Sequence, residues 1–175
     1  MGRSFHAGLR DGAGMELRVD GWRKGVRFSA SHILPGHPQC GRMHGHTYAL
    51  HCVVRGDPQA GDGFIVDFNV LTAALRKVTE RLDHKMLLPT HNPALDLKES
   101  EHEVRFRVGA KQYALPRADV ELLPLANCSA EHLSQFCLDA LLDALQPGPN
   151  VHEVQVGVDE GYGKGAWTAR RLTDG

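Results

Sequence analysis

Three histidines, His32, His44 and His46, stand where one metal ion would use them. Residues two apart in an extended strand project from the same face, so the pair His44 and His46 points one way. Val26, Phe28, Ala30 and His32 share one face of an extended stretch, and His44, His46, Tyr48, Leu50, Cys52 and Val54 share one face of the next. If these stretches pair antiparallel, the end of the first lies beside the start of the second, whatever the length of the turn-rich segment Ile33 to Met43. The imidazoles of His32, His44 and His46 then converge. Three imidazoles suit Zn²⁺ and leave its fourth position open, the arrangement of a catalytic rather than a structural site. One histidine on an apolar face is ordinarily a hydrogen-bonded core residue, but convergence of all three asks for a common partner.

Cys40 lies four residues before His44. Two roles stay open for it: a thiolate base favoured by the nearby metal charge, or a fourth protein ligand that closes the site. Glu160 prolongs the apolar face of Val154, Val156 and Val158, where a carboxylate is costly unless a partner holds it; the plainer alternative is a carboxylate emerging to solvent at a strand end. Asp83 and His84 follow a helix end, which favours an imidazolium that a neighbouring carboxylate would orient, although a plain helix-terminating His has the same signature. Ser129 caps a second helix, and Glu131 in its first turn is favoured by the helix dipole irrespective of any binding role.

The elements that must position these groups follow from periodicity. Met15 to Val19 alternates as a first strand, Val26 to His32 is the second, and His44 to about Arg55 is the third. Phe64 to Phe68 leads into a helix with Leu71, Leu75, Val78 and Leu82 at helical spacing and Asp67 or Asn69 as cap. Glu103 to Val108 and Tyr113 to Leu123 flank a Gly109-Ala110-Lys111-Gln112 turn and predict a hairpin, with Pro116 confining the second strand to an edge. The second helix, Ala130 to about Gln146, stops at Pro147-Gly148-Pro149, and Val151 to Glu160 is the last strand.

The 175 residues suit one domain over 15–175, preceded by a flexible Gly- and Arg-rich leader over 1–14, with Met15 as an alternative start. Lys plus Arg number 20 against 21 Asp plus Glu, a net charge of −1 that supplies no field for nucleic acid or an anionic membrane. No apolar run is long enough to span a bilayer, and a cytoplasmic location is expected. Cys40, Cys52, Cys128 and Cys137 form no CxxC pair, so reduced thiols are expected, the last three as packing residues.

The string Cys40-Gly41-Arg42-Met43-His44-Gly45-His46, preceded by Phe28-Ser29-Ala30-Ser31-His32, resembles the 6-pyruvoyl-tetrahydropterin synthase and 6-carboxy-tetrahydropterin synthase family. Gly63-Phe64-Ile65-Val66-Asp67-Phe68, Arg81-Leu82-Asp83-His84, Ser129-Ala130-Glu131 and Glu160 continue the match in the family's order, over most of residues 15 to 165. The resemblance implies an α+β tunnelling fold: an antiparallel four-stranded sheet with two helices on one face, here with an inserted hairpin over about 94–125, assembling as a homohexamer, a dimer of trimers. It implies Zn²⁺ on His32, His44 and His46, proton transfers by Cys40, Asp83 and His84, and a pterin substrate held by Ser129, Glu131 and Glu160. The implied activity is zinc-dependent carbon–carbon lysis of 7,8-dihydroneopterin triphosphate to 6-carboxy-5,6,7,8-tetrahydropterin, with release of triphosphate and acetaldehyde, in 7-deazaguanine (queuosine or archaeosine) synthesis. A 6-pyruvoyl or 6-hydroxymethyl product is the alternative within the family. A non-catalytic zinc-stabilised module, using the hairpin to contact protein or RNA, is the alternative of another class.

Overall fold

A computed structural model describes residues 15–172; the leader expected over 1–14 lies outside the described residues. In chain order the elements are β1 (Met15–Val19), α1 (Gly21–Lys24), β2 (Arg27–His32), β3 (His44–Gly56), α2 (Phe68–Leu82), β4 (Lys85–Pro89), β5 (Leu95–Glu99), β6 (Glu103–Val108), β7 (Lys111–Pro116), β8 (Val120–Leu123), α3 (Ala130–Leu145), β9 (Val151–Glu160) and β10 (Gly165–Arg171).

The 13-residue β3 is the axis of the molecule. Along one side it pairs antiparallel with β9; along the other its first half pairs with β2 and its second half with β1. The one-turn helix α1 fills the gap between β1 and β2. A glycine must start it, because a Cβ on Gly21 would sit 2.3 Å from the carbonyl oxygen of Leu50 on β3.

The expected four-stranded antiparallel sheet is too small. The main sheet has seven strands in the order β10-β9-β3-β2-β4-β8, with β1 also on β3. Its antiparallel part is the one the alternation implied, with β10 added beyond β9; β4 joins β2 in parallel, and β8 joins β4 in parallel. After Lys85, β4 is a continuous apolar run of four residues, Met86–Pro89, without the alternation that marks a half-exposed strand. The chain enters it through His84, whose φ of 57° turns the backbone sharply after α2.

The expected hairpin is likewise larger. β5 pairs with β6 to make a separate three-stranded antiparallel sheet, β5-β6-β7. The second predicted strand, Tyr113 to Leu123, divides in two: β7 ends at Pro116, a 3-10 turn over Arg117–Asp119 redirects the chain, and β8 enters the main sheet instead. Proline, lacking an N–H, ends the ladder there.

Both long helices pack on one face of the main sheet, as expected. Leu71, Leu75, Val78 and Leu82 of α2 and Leu133, Phe136, Cys137 and Leu141 of α3 close over Phe28, Tyr48, Leu50, Cys52, Val54, Val154, Val156 and Val158. Each fully buried leucine or valine contributes about 1.5–3 kcal/mol. Asp67 caps α2 by accepting from the N–H groups of Asn69 and Val70. A second core, formed by Ile33, Met86, Leu88, Val104, Phe106 and Val120, joins β4 and β8 to the three-stranded sheet. Alternation along β4 explains the division, since Leu87 belongs to the helix-covered core and its neighbours Met86 and Leu88 to the other. No helix among the described residues is long and apolar enough to cross a membrane.

Candidate active site

β2 ends and β3 begins at one rung of the ladder, His32 opposite His44, and Ala30 stands opposite His46. The three rings gather at that end, with centroids 4.5 Å apart for His32 and His44, 5.2 Å for His32 and His46, and 5.1 Å for His44 and His46. One donor nitrogen from each lies within 4.8 Å of the others. Gly45, between the two β3 ligands, is required by close approach: a Cβ there would meet the carbonyl oxygen of Ala30 at 2.8 Å and push the strands apart.

Hydrogen bonding decides which nitrogens face inward. Nδ1 of His32 lies 2.7 Å from the carbonyl oxygen of Cys128, and Nδ1 of His44 lies 2.7 Å from that of Arg42. A carbonyl only accepts, so both Nδ1 atoms carry the proton and both Nε2 atoms present lone pairs. Those two Nε2 atoms stand 3.1 Å apart. Bare lone pairs at that distance repel unless a proton or a cation lies between them. Burial, reinforced by the nearby His44 and His46, pushes the pKa of fully buried His32 down to about 4, so its ring is neutral at pH 7 and its Nε2 lone pair is free for a metal ion. Tetrahedral zinc with bonds of about 2.0–2.1 Å separates its ligand nitrogens by about 3.3 Å, so the donor set fits Zn²⁺. Cys40 lies outside this donor group, which among the described residues has three members.

Beyond the histidines the same face of the sheet carries further polar groups. Tyr48 follows His46 on β3, its ring 5.5 Å from that of His46 and stacked at 4.7 Å on Phe28, and Glu160 of β9 is its partner across the ladder. Oε1 of Glu160 is buried without a hydrogen-bond partner, and so is the hydroxyl of Tyr48. Burial, with the nearby charge of Glu131, holds the Glu160 carboxyl above its usual range; Lys164 and His44 act against this. Glu131 is shifted downward, because the Ser129 hydroxyl and the backbone N–H of Glu131 itself stabilise its charge. Ser129, Glu131 and Glu160 thus meet around one site, as their spacing alone did not reveal. Lys164 and Tyr48 are members that sequence inspection passed over. The signal for Tyr48 was its place in the period-two series His44, His46, Tyr48; Lys164 returns through a turn with positive φ at Gly161 and Gly163, which no periodicity marks.

Asp83 and His84 go elsewhere. Oδ1 of Asp83 accepts from the N–H of Ser29 at 2.7 Å, and Oδ2 lies 2.9 Å from Nδ1 of His84. Partial burial raises the Asp83 carboxyl, but the N–H of Ser29 and the ring of His84 outweigh it and hold the group below its usual range. The carboxylate is thus placed to orient the imidazole. The ring, however, lines an open cavity of about 580 Å³ with Ser29, Ser31, Thr47 and Met86. The side chains of Ser29, Ser31 and Thr47 alternate with those of Phe28, Ala30, His46 and Tyr48, so they and His84 line the cavity from the sheet face away from the helices, while Ala30 and His46 also border it.

A model of the family described as 6-pyruvoyl tetrahydropterin synthase matches residues 22–168. The chain belongs to that family. A Methanocaldococcus jannaschii protein provisionally named 6-carboxy-5,6,7,8-tetrahydropterin synthase is 34% identical over 155 residues, 87% of this chain and 94% of that protein. The 6-carboxy-5,6,7,8-tetrahydropterin synthase of Aquifex aeolicus is 29% identical over 119 residues, 67% of this chain and 66% of that protein. The 6-pyruvoyl tetrahydropterin synthase of Plasmodium vivax superposes with a TM-score of 0.82 at 26% identity, covering 90% of this chain and 98% of that one.

Within this member of the 6-pyruvoyl tetrahydropterin synthase family, one cysteine stands apart from the others. Burial pushes the thiols of Cys52, Cys128 and Cys137 up to about 12, which makes them inert packing groups. Cys40 is half-buried in the loop between the first two zinc-type ligands, where its N–H donates to Nδ1 of His37 at 2.9 Å and its carbonyl accepts from the N–H of Leu34 at 2.9 Å.

Proposed function

We propose that the protein is a zinc-dependent carbon–carbon lyase that converts 7,8-dihydroneopterin triphosphate to 6-carboxy-5,6,7,8-tetrahydropterin, releasing triphosphate and acetaldehyde, in 7-deazaguanine synthesis. The observation that carries this reading is the buried, unpartnered oxygen of Glu160 on the same face as the three-histidine cluster. A buried carboxylate without a partner is costly, and the adjacent ring N–H and amino donors of a pterin complete it in a bidentate pair. His32, His44 and His46 would hold Zn²⁺, which when bound polarises the side-chain hydroxyls of the substrate and acidifies the neighbouring C–H bonds. Cys40 takes a proton, and His84, oriented by Asp83, moves another as triphosphate is eliminated. Glu160 anchors the pterin ring, with Ser129 and Glu131 beside it.

Because His84 lies behind the sheet from its own histidine cluster, the reading requires His84 from another copy of the chain. Two features of the sheet support such an assembly: among the described residues β1 pairs only with β3, and β10 only with β9, so both offer an edge to a sister subunit. We propose a homohexamer built as a dimer of trimers, working in the cytoplasm, where four unpaired thiols stay reduced.

The 34% identity to a relative with the carboxy name favours the carboxy product, and the 0.82 TM-score to the Plasmodium vivax enzyme favours the pyruvoyl product as the second reading. Zinc-loaded protein incubated with 7,8-dihydroneopterin triphosphate, with products identified by mass spectrometry, separates them. A 6-carboxypterin with acetaldehyde supports the proposal. A 6-pyruvoyl or 6-hydroxymethyl product replaces the first reading with a sister activity, and absence of turnover by fully metallated protein rejects catalysis in favour of a zinc-stabilised module.

A further inference from the structure

The three-stranded sheet β5-β6-β7 borders the His84 cavity through Leu115, and it also touches the Cys40 loop at both ends. At the start of the loop, Ile33 follows the ligand His32 directly and is only 1% exposed; it is buried among Val104 and Phe106 of β6 and Met86, Leu88 and Val120 of the main sheet. Phe106 is itself fixed by stacking on Tyr113 of β7 at 4.7 Å. At the far end, Lys111, the first residue of β7, donates from Nζ to the carbonyl oxygen of Gly41 at 3.1 Å, across 70 residues of sequence. Gly41 is the residue after Cys40, and its own N–H donates to the carbonyl of His37 at 2.9 Å.

We infer that the three-stranded sheet is a brace that sets the position of the Cys40 thiol, with Lys111 as its positioning residue. This rests on the assignment of Cys40 as the proton-transfer group. A loop that begins and ends on zinc ligands is held at His32 and His44 whatever lies between, so the metal fixes its ends and leaves its middle free. The middle carries the thiol. Internal bonds from Leu34 to Cys40 and from Gly41 to His37 shape the loop, but they tie it only to itself. The Lys111 ammonium and the Ile33 side chain tie it to a second folded unit. The Gly41 carbonyl is a fitting point of attachment, since a Cβ on Gly41 would lie 2.4 Å from the oxygen of His37, so the backbone there is already packed tightly and transmits a constraint to Cys40.

The test compares Lys111→Ala and Lys111→Arg in the zinc-loaded full chain. Lys111→Ala removes one solvent-exposed hydrogen bond, whose charge is screened by water, which corresponds to about a two- to tenfold change in loop opening at about 1.4 kcal/mol per tenfold. The expected result is a two- to tenfold faster amide exchange in a peptide spanning residues 33–43, with exchange in the β3 segment 48–54 and zinc content unchanged. Turnover should fall in kcat by a similar factor with KM within twofold, and Lys111→Arg, which keeps a donor, should restore both. Unchanged exchange in 33–43 overturns the brace, as does a loss of zinc, which would place the effect on the ligands. Amide exchange is read whether or not the protein turns over dihydroneopterin triphosphate, so failure of the enzymatic assignment shows separately as an inactive wild type.

Discussion

Replacing Glu160 by glutamine should make the ligand-free protein more stable and its complex weaker. The carboxyl is held above its ordinary value near 4.5, chiefly by burial, so the folded state binds this proton more tightly than the unfolded chain does. By linkage, the stability associated with the proton is fully present below the unfolded value and is lost as pH rises through the folded one. At pH 7.5 the wild-type protein therefore carries an unfavourable buried charge with one oxygen unpartnered, and the amide does not. The Tm of ligand-free Glu160→Gln should exceed that of wild type at pH 7.5, and the gap should close as pH falls toward 4. Binding moves the other way. The amide keeps one acceptor but presents an N–H where the pterin also presents a donor, so one charge-assisted bond of about 1.5–3 kcal/mol is lost and Kd rises about 10- to 150-fold. Scanning calorimetry across pH and titration calorimetry with 7,8-dihydroneopterin measure the two effects. A lower Tm at pH 7.5, or a Kd within twofold of wild type, would refute the assignment of Glu160 as an anchor waiting for its partner.

Chelation should destabilise the fold: at free zinc 100 times its Kd the metal contributes about 2.7 kcal/mol, so removing it lowers Tm by about 5–11 °C at 2–4 °C per kcal/mol, measured by differential scanning fluorimetry with and without a chelator. Cys40→Ala should abolish turnover and leave one zinc per chain by atomic absorption, because the donor cluster is complete without it; loss of the metal would mean that the thiol is a ligand. Cys40→Ala and His84→Ala subunits, each inactive alone, should regain about a quarter of the wild-type rate when unfolded together and reassembled in equal amounts, since random mixing gives that share of intact composite sites. No recovery would place both residues of a site in one chain.

The three-histidine cluster was legible because period two and one antiparallel rung determine it: once β2 and β3 pair, His32, His44 and His46 have nowhere else to point. The two long helices were legible for the same kind of reason, an apolar stripe with an Asp67 cap and a Pro147-Gly148-Pro149 stop. What escaped depends on partners distant in sequence. β4 has no alternation because apolar groups cover both of its faces. β10 is a half-exposed edge whose anchor, Trp167, lies over Gly157; a Cβ there would come within 2.4 Å of the indole. The sheet face on which His84 falls is set by how β4 docks beside β2, a tertiary choice that leaves no mark on Asp83-His84 itself.

That His32 closes β2 and His44 opens β3 on a single rung has an evolutionary consequence. The three histidines are placed by the ladder whatever shape the intervening loop adopts, so the loop can change its length or its reactive residue without disturbing them. Variation in the loop is thereby uncoupled from variation in the three-histidine cluster, and a lineage can explore new products while keeping that cluster. In this chain the loop is tied to a second small sheet through Ile33 and Lys111, so the heritable unit of change is the pair. A graft of residues 33–43 into a relative lacking β5-β6-β7 would carry the thiol without its support, and transplantation of an activity should succeed only when both segments travel together.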